Sequence, residues 1–199
     1  MRVALFGGTF DPPHRGHIGI ATAAAEALRL DRVLFAPAGR QPLKAKATAT
    51  SFADRLAMVD LACRVDTRFE ASDVDAPRGD GTPNYTVHTL ASLREAMPDA
   101  ALFNLVGADS FLELPRWHQP ERLLELAEWI VVSRPGSPLG DLTSLGLTSR
   151  QRARVHLLQT VYEDVAATDL RERLHRGDPC SDLLPPAVAE YIIMHQLYR

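Results

Sequence analysis

Six short apolar runs, at residues 2–6, 32–36, 68–71, 101–106, 129–133 and 155–160, are separated from one another by helical patterns. The runs are continuous more often than alternating, as expected of strands covered on both faces. Strands of that kind run parallel and need a crossover between neighbours, which the intervening helices supply. The sequence therefore predicts an α/β fold, a doubly wound and mainly parallel sheet, with a small helical part towards the C-terminus. At 199 residues, one domain spanning 1–199 is expected.

The helical stretches have readable faces. Ile18, Ala21, Ala25 and Leu28 form one stripe; Phe52, Leu56, Val59 and Cys63 form another, behind Ser51 and Asp54, which resemble a capping box. Both stripes are expected to lie on the sheet. Pro185 opens a last helix over 187–197, with Val188, Ile192 and Leu197 set to dock on the body. Segments 39–50, 78–84 and 135–148 lack periodicity and read as surface loops and potential lids.

Lys and Arg number 22 against 25 Asp and Glu, so no global basic field points to a nucleic-acid or membrane partner, and any anion site must be local. Cys63 and Cys180 have neither zinc-ligand spacing nor a disulfide framework around them. No apolar run approaches the roughly 18 residues of a membrane span, and the first residues begin a strand, not a secretory signal. A soluble cytoplasmic protein is expected.

The stretch Gly-Gly-Thr-Phe-Asp-Pro-Pro-His-Arg-Gly-His, residues 7–17, follows the first strand directly. In an open α/β sheet the ligand crevice lies beyond the carboxyl ends of the strands, where Gly7 and Gly8 let an anion approach the backbone. The next helix, opening near Arg15 or Gly16, turns its unpaired N–H groups into the same crevice, which suits a phosphate. His14 and His17, three residues and about 4.5 Å of helical rise apart, can grip adjacent phosphates. In the plainer alternative, His14 caps the turn and His17 is a half-buried polar residue. The chain contains no GxxxxGK[ST], GxGxxG after a strand, GxSxG or HExxH motif.

This stretch resembles the signature of the HxGH nucleotidyltransferase superfamily, and in particular the bacterial nicotinate mononucleotide adenylyltransferases. The related phosphopantetheine adenylyltransferases usually carry Thr-Asn-Gly-His and a shorter chain. The resemblance implies a Rossmann-like nucleotidyltransferase fold and adenylyl transfer from ATP to nicotinate mononucleotide, yielding nicotinate adenine dinucleotide and pyrophosphate in NAD biosynthesis. On that likeness the backbone of Gly7, Gly8, Thr9 and Phe10, with His14 and His17, meets the α- and β-phosphates. Lys44 and Arg171 neutralise the β- and γ-phosphates, and Mg²⁺ rides mainly on the phosphates, with no protein ligand named. Gly107 and Asp109 resemble the segment that contacts adenosine or the dinucleotide, Arg134 stands near the nucleotide, and Thr168 opens the helix that carries Arg171. Tyr85, Thr86 and Trp117 resemble the family's pyridine site. Three departures stand out: Ala166 and Ala167 where serines are common, Leu43 where the family has His, and His88 where Asp is frequent. Nicotinamide mononucleotide or phosphopantetheine as the acceptor, or a non-catalytic nucleotide-binding regulator, are the rival readings.

Overall fold

The computed structural model describes residues 1–40, 48–133, 145–159 and 167–199. Its elements alternate as the sequence leads one to expect: β1 (Arg2–Gly8), α1 (Arg15–Ala27), β2 (Arg32–Pro37), α2 (Phe52–Cys63), β3 (Phe69–Ala71), α3 (Thr86–Ala96), β4 (Ala101–Gly107), α4 (Ala108–Leu112), α5 (Pro120–Leu126), β5 (Glu128–Ser133), α6 (Ser149–Arg152), β6 (Val155–Gln159), α7 (Ala167–His175) and α8 (Pro186–Met194). A 3₁₀ turn, Leu114–Arg116, joins α4 to α5. The strands pair in the order β3-β2-β1-β4-β5-β6, every pair parallel. Strand order runs outward in both directions from the β1–β4 pair, so the winding reverses there and their carboxyl ends flank the crevice of a doubly wound sheet.

Both faces of the sheet are covered, which explains the continuous apolar runs. Val3, Leu5, Leu102 and Val131 pack against Leu90 and Leu93 of α3 and Leu123 of α5. Ala4, Phe6, Phe35, Phe103 and Ile130 face the other way, against Ala21, Ala24 and Ala25 of α1 and Val59 of α2. The alanines let α1 lie close to the strands. The edge strand β6 is the exception: Leu157 is 48% exposed, and His156 turns to Glu128 at 2.6 Å.

Helix α2 departs from its expected single stripe. Ser51 caps it as anticipated, accepting from the N–H of Asp54 at 3.1 Å. Its buried residues, however, are Arg55, Met58, Val59, Ala62 and Cys63, while Phe52 and Leu56 are only half-buried. Val59 and Cys63 face the sheet, but Met58 and Ala62 face a third apolar cluster with Leu170, Cys180, Leu184, Val188 and Ile192. The C-terminal helices thus dock on the outer face of α2. Burial pushes the Cys63 thiol up to about 12, leaving it protonated and inert. Helix α8 ends at Met194, three residues before the expected 197.

The 78–84 segment is pinned. Arg40 donates through its guanidinium to the carbonyl of Gly81 and through its N–H to Asn84, which returns a backbone bond. Gly39 beside it admits no side chain, since a β-carbon there would stand 2.4 Å from the Pro77 nitrogen. Most of the other two loops, residues 41–47 and 134–144, lies outside the described residues, as do Lys44, Arg134, Leu43 and Ala166.

Candidate active site

The loop from β1 to α1 is anchored by an aromatic side chain. Phe10 has a left-handed backbone (φ 49°), and its ring is buried with centroids 5.4 Å from Phe6, 5.7 Å from Phe35 and 4.9 Å from His17. Gly8 has to be glycine because a β-carbon there would lie 2.9 Å from that ring. By contrast, a β-carbon at Gly7 or Gly107 would meet no described atom within 4 Å. Among the described residues, the ends of the two central strands therefore border open space.

His14 precedes α1 and accepts the N–H groups of His17 and Ile18 on its carbonyl. Its own N–H donates to Nδ1 of His17 at 3.2 Å, and the two rings stack with centroids 3.7 Å apart. Because Nδ1 of His17 accepts, the proton of the neutral ring sits on Nε2. His14 is only 6% exposed, and burial lowers its pKa to about 4, so it is neutral near pH 7. Its Nδ1 has no hydrogen-bond partner among the described residues. The capping and binding readings of the pair are thus compatible: the backbone bonds of a cap hold two imidazoles together at a helix N-terminus.

Arg171 comes from α7 to the same loop, donating to the carbonyl of Asp11 at 2.9 Å and to the hydroxyl of Thr168 at 3.3 Å. A pocket of about 440 Å³ opens beside it, lined by Thr168, His175, Arg176 and Tyr198 among others. On the β4 side, Gly107 precedes α4, and Asp109 lies exposed in its first turn.

Of the residues expected at a pyridine ring, Tyr85 and Trp117 both pack against the core on the α3 side of the sheet, Tyr85 in ring contact with His118, the residue next to Trp117. Tyr85 precedes α3, which Thr86 opens, and its ring lies 4.5 Å from His118 and 5.9 Å from His88. Neighbouring Trp117 is half-buried, edge-on to fully buried Trp129 at 5.8 Å. His88, which stands where the family often has Asp, therefore belongs to this ring cluster.

Three residues that sequence reasoning passed over organise the site. Asp11, 3% exposed, accepts from the hydroxyls of Tyr198 (2.6 Å) and Thr50 (2.8 Å) and from the N–H of Ala49 (2.6 Å). Arg55, 1% exposed, donates to the carbonyls of Thr9 (2.8 Å) and Ala38 (2.9 Å), tying the ends of β1 and β2 together. Burial lowers its pKa, and the charge of Asp11 opposes that shift. A charged residue between Phe52 and Val59 on an apolar stripe was the available signal for Arg55. For Tyr198 there was none.

The chain matches the cytidylyltransferase-like family over residues 5–173. It is 42% identical over 198 residues to a protein of Thermomicrobium roseum named "Probable nicotinate-nucleotide adenylyltransferase", covering 100% of this chain and 92% of that one. A protein of the same name from Roseiflexus sp. is also 42% identical, with 99% and 98% covered. In fold it resembles the nicotinic acid mononucleotide adenylyltransferase of Plasmodium falciparum, solved in complex with NaAD, with a TM-score of 0.75 at 15% identity, covering 99% of this chain and 97% of that one. With a family match over most of its length and relatives this similar from end to end, the chain belongs to the nicotinate-nucleotide adenylyltransferases of the cytidylyltransferase-like family.

Proposed function

We propose that the protein transfers the adenylyl group of ATP to nicotinate mononucleotide, acting as a single domain over residues 1–199. The observation that carries this reading is the stacked His14–His17 pair at the start of α1, with Arg171 bonded to the same loop. Neutral and cationic donors cluster there, at the carboxyl end of a central strand, where a polyphosphate fits.

In the reaction, a 5'-phosphate oxygen of nicotinate mononucleotide attacks the α-phosphorus of ATP. The bond from that phosphorus to the α–β bridging oxygen breaks, and pyrophosphate leaves. The attacking oxygen is already anionic at neutral pH, so no protein base is needed. The protein's share is to hold two anions in line and to stabilise charge on the transferred and leaving groups. His17 donates from Nε2, and His14 serves as a neutral donor in a dry setting, where a hydrogen bond to phosphate is strong. The backbone of Gly7, Gly8, Thr9 and Phe10 lines the approach to the α-phosphate; Arg171, Thr168 and Lys44 take the β- and γ-phosphates. Gly107, Asp109 and Arg134 serve the nucleotide, and Tyr85, Thr86 and Trp117 the pyridine ring.

The donor set suits an anion more than a bare metal: the Asp11 carboxylate is engaged by three donors, and among the described residues no three His, Cys, Asp or Glu side chains converge. In this reading Mg²⁺ rides on the ATP phosphates, whose charge it partly neutralises. Among the described residues no helix is long and apolar enough to cross a membrane, and a cytoplasmic setting fits the substrates.

The test is Mg²⁺-dependent pyrophosphate release from ATP, with nicotinate mononucleotide, nicotinamide mononucleotide and phosphopantetheine offered in parallel. Preference for the first is expected. Preference for another would move the acceptor, and ATP binding without release would overturn the catalytic reading.

A further inference from the structure

After α8 the chain turns back against the loop that carries the histidines. Gln196 and Tyr198 take left-handed conformations (φ 55° and 61°), which side-chain-bearing residues hold only where their surroundings fix them. Tyr198 is fixed through its hydroxyl, which donates to Oδ1 of Asp11 at 2.6 Å. Burial and the adjoining carboxylate raise its pKa, so it remains a donor across the working range of pH.

Asp11 is a junction. Its carboxylate gathers Tyr198 together with Thr50 and Ala49 from the segment entering α2, and its carbonyl receives Arg171. Three residues further on stands His14. Oδ1 accepts from both Tyr198 and Thr50, so removing the Tyr198 donor from this carboxylate, 3% exposed, leaves Oδ1 with Thr50 alone, and the side chain shifts towards the donors that remain. The carbonyl that meets Arg171 belongs to the same residue and shifts with it.

We propose that Tyr198 is a positioning residue for the transfer reaction: through Asp11 it fixes the loop 9–14, and with it the approach of His14, His17 and Arg171 to the ATP phosphates. The proposal rests on the adenylyl-transfer reading. A second tyrosine supplies the comparison. Tyr191 of α8 donates to Oδ1 of Asp54 at 3.1 Å, a bond of the same type that never reaches the loop.

The experiment compares Tyr198→Phe and Tyr191→Phe with the unaltered chain. It reads kcat, KM for each substrate, the thermal midpoint, and the His17 ring resonances by NMR. Tyr198→Phe is expected to lower kcat/KM for ATP by about tenfold, the scale of one buried hydrogen bond to a charged group, and to move the His17 resonances. The KM for nicotinate mononucleotide should hold. Tyr191→Phe should lower the thermal midpoint without touching the kinetics. Asp11→Asn attacks the same bond from the other side, and combined with Tyr198→Phe it should cost less than the product of the two separate effects. If Tyr198→Phe lowers only the thermal midpoint, with kcat/KM within about twofold and the His17 resonances in place, the proposal is overturned. Should the unaltered chain release no pyrophosphate, the reaction reading fails instead. The His17 resonances and the affinity for a non-hydrolysable ATP analogue then still decide whether Tyr198 sets the loop.

Discussion

The imidazoles of His14 and His17 lie 3.7 Å apart, centroid to centroid, with their planes 30° from parallel, and the N–H of His14 donates to Nδ1 of His17. That backbone bond fixes which nitrogen of His17 carries the proton. Replacement by Asn leaves a short acceptor near the His14 N–H but removes the ring that reaches the phosphates. His17→Asn should therefore lower kcat by about 10²–10³, the scale of losing one donor to developing charge, with a change in thermal midpoint of a few degrees at most. Steady-state rates and calorimetry check this, and an unchanged kcat would remove His17 from the mechanism.

His14 makes stability depend on pH. Its pKa falls from an ordinary 6.5 to about 4 in the folded chain, so between those values the unfolded chain binds the proton and the folded chain does not. Stability is full above pH 6.5, is lost as pH falls towards 4, and the loss amounts to about 3 kcal/mol. Asp75 works in the opposite sense: burial raises its pKa despite the hydrogen bond from Thr89, so it favours the folded chain on acidification. The difference between variants isolates His14. Urea unfolding of His14→Gln from pH 7 to 4 should show an acid limb shallower by up to about 1.4 kcal/mol per pH unit. Parallel limbs would mean that His14 titrates normally.

Arg171 makes two bonds in different directions, to the Asp11 carbonyl and the Thr168 hydroxyl, and a planar fork can do so while still facing an anion. Lysine keeps the charge but not the fork. Arg171→Lys should raise the KM for ATP by about tenfold with little change in the KM for nicotinate mononucleotide. Equal effects on both substrates would point to a general loosening of the loop.

Much of this was legible because it is local. The central strands announced themselves as apolar runs since helices cover both faces, and the glycine-histidine stretch carried its own chemistry. The role of Gly8 lies two residues away, in the ring of Phe10. Asp11 stood in plain view in the same stretch, yet its partners lie 38, 39 and 187 positions along the chain, and no periodicity connects them. The second buried face of α2 was hidden for the same reason: Met58 and Ala62 become core only because α8 docks on them. Half-burial of Trp117 likewise depends on Trp129, a strand residue twelve positions on.

The two tryptophans offer a direct view of the pyridine site. Trp129 is fully buried in the core against Phe111, whereas Trp117 is half-buried beside His118, whose ring packs on Tyr85. An electron-poor pyridine stacked on an indole quenches its fluorescence, so nicotinate mononucleotide should dim the signal of Trp117 and leave that of Trp129. Trp117→Phe keeps a flat apolar ring of smaller area. It should abolish most of the quench and raise the KM for nicotinate mononucleotide by roughly three- to tenfold, the worth of one aromatic contact, with the KM for ATP unchanged. If the quench survives in Trp117→Phe, the emission it reports comes from Trp129, and the pyridine ring binds away from Trp117.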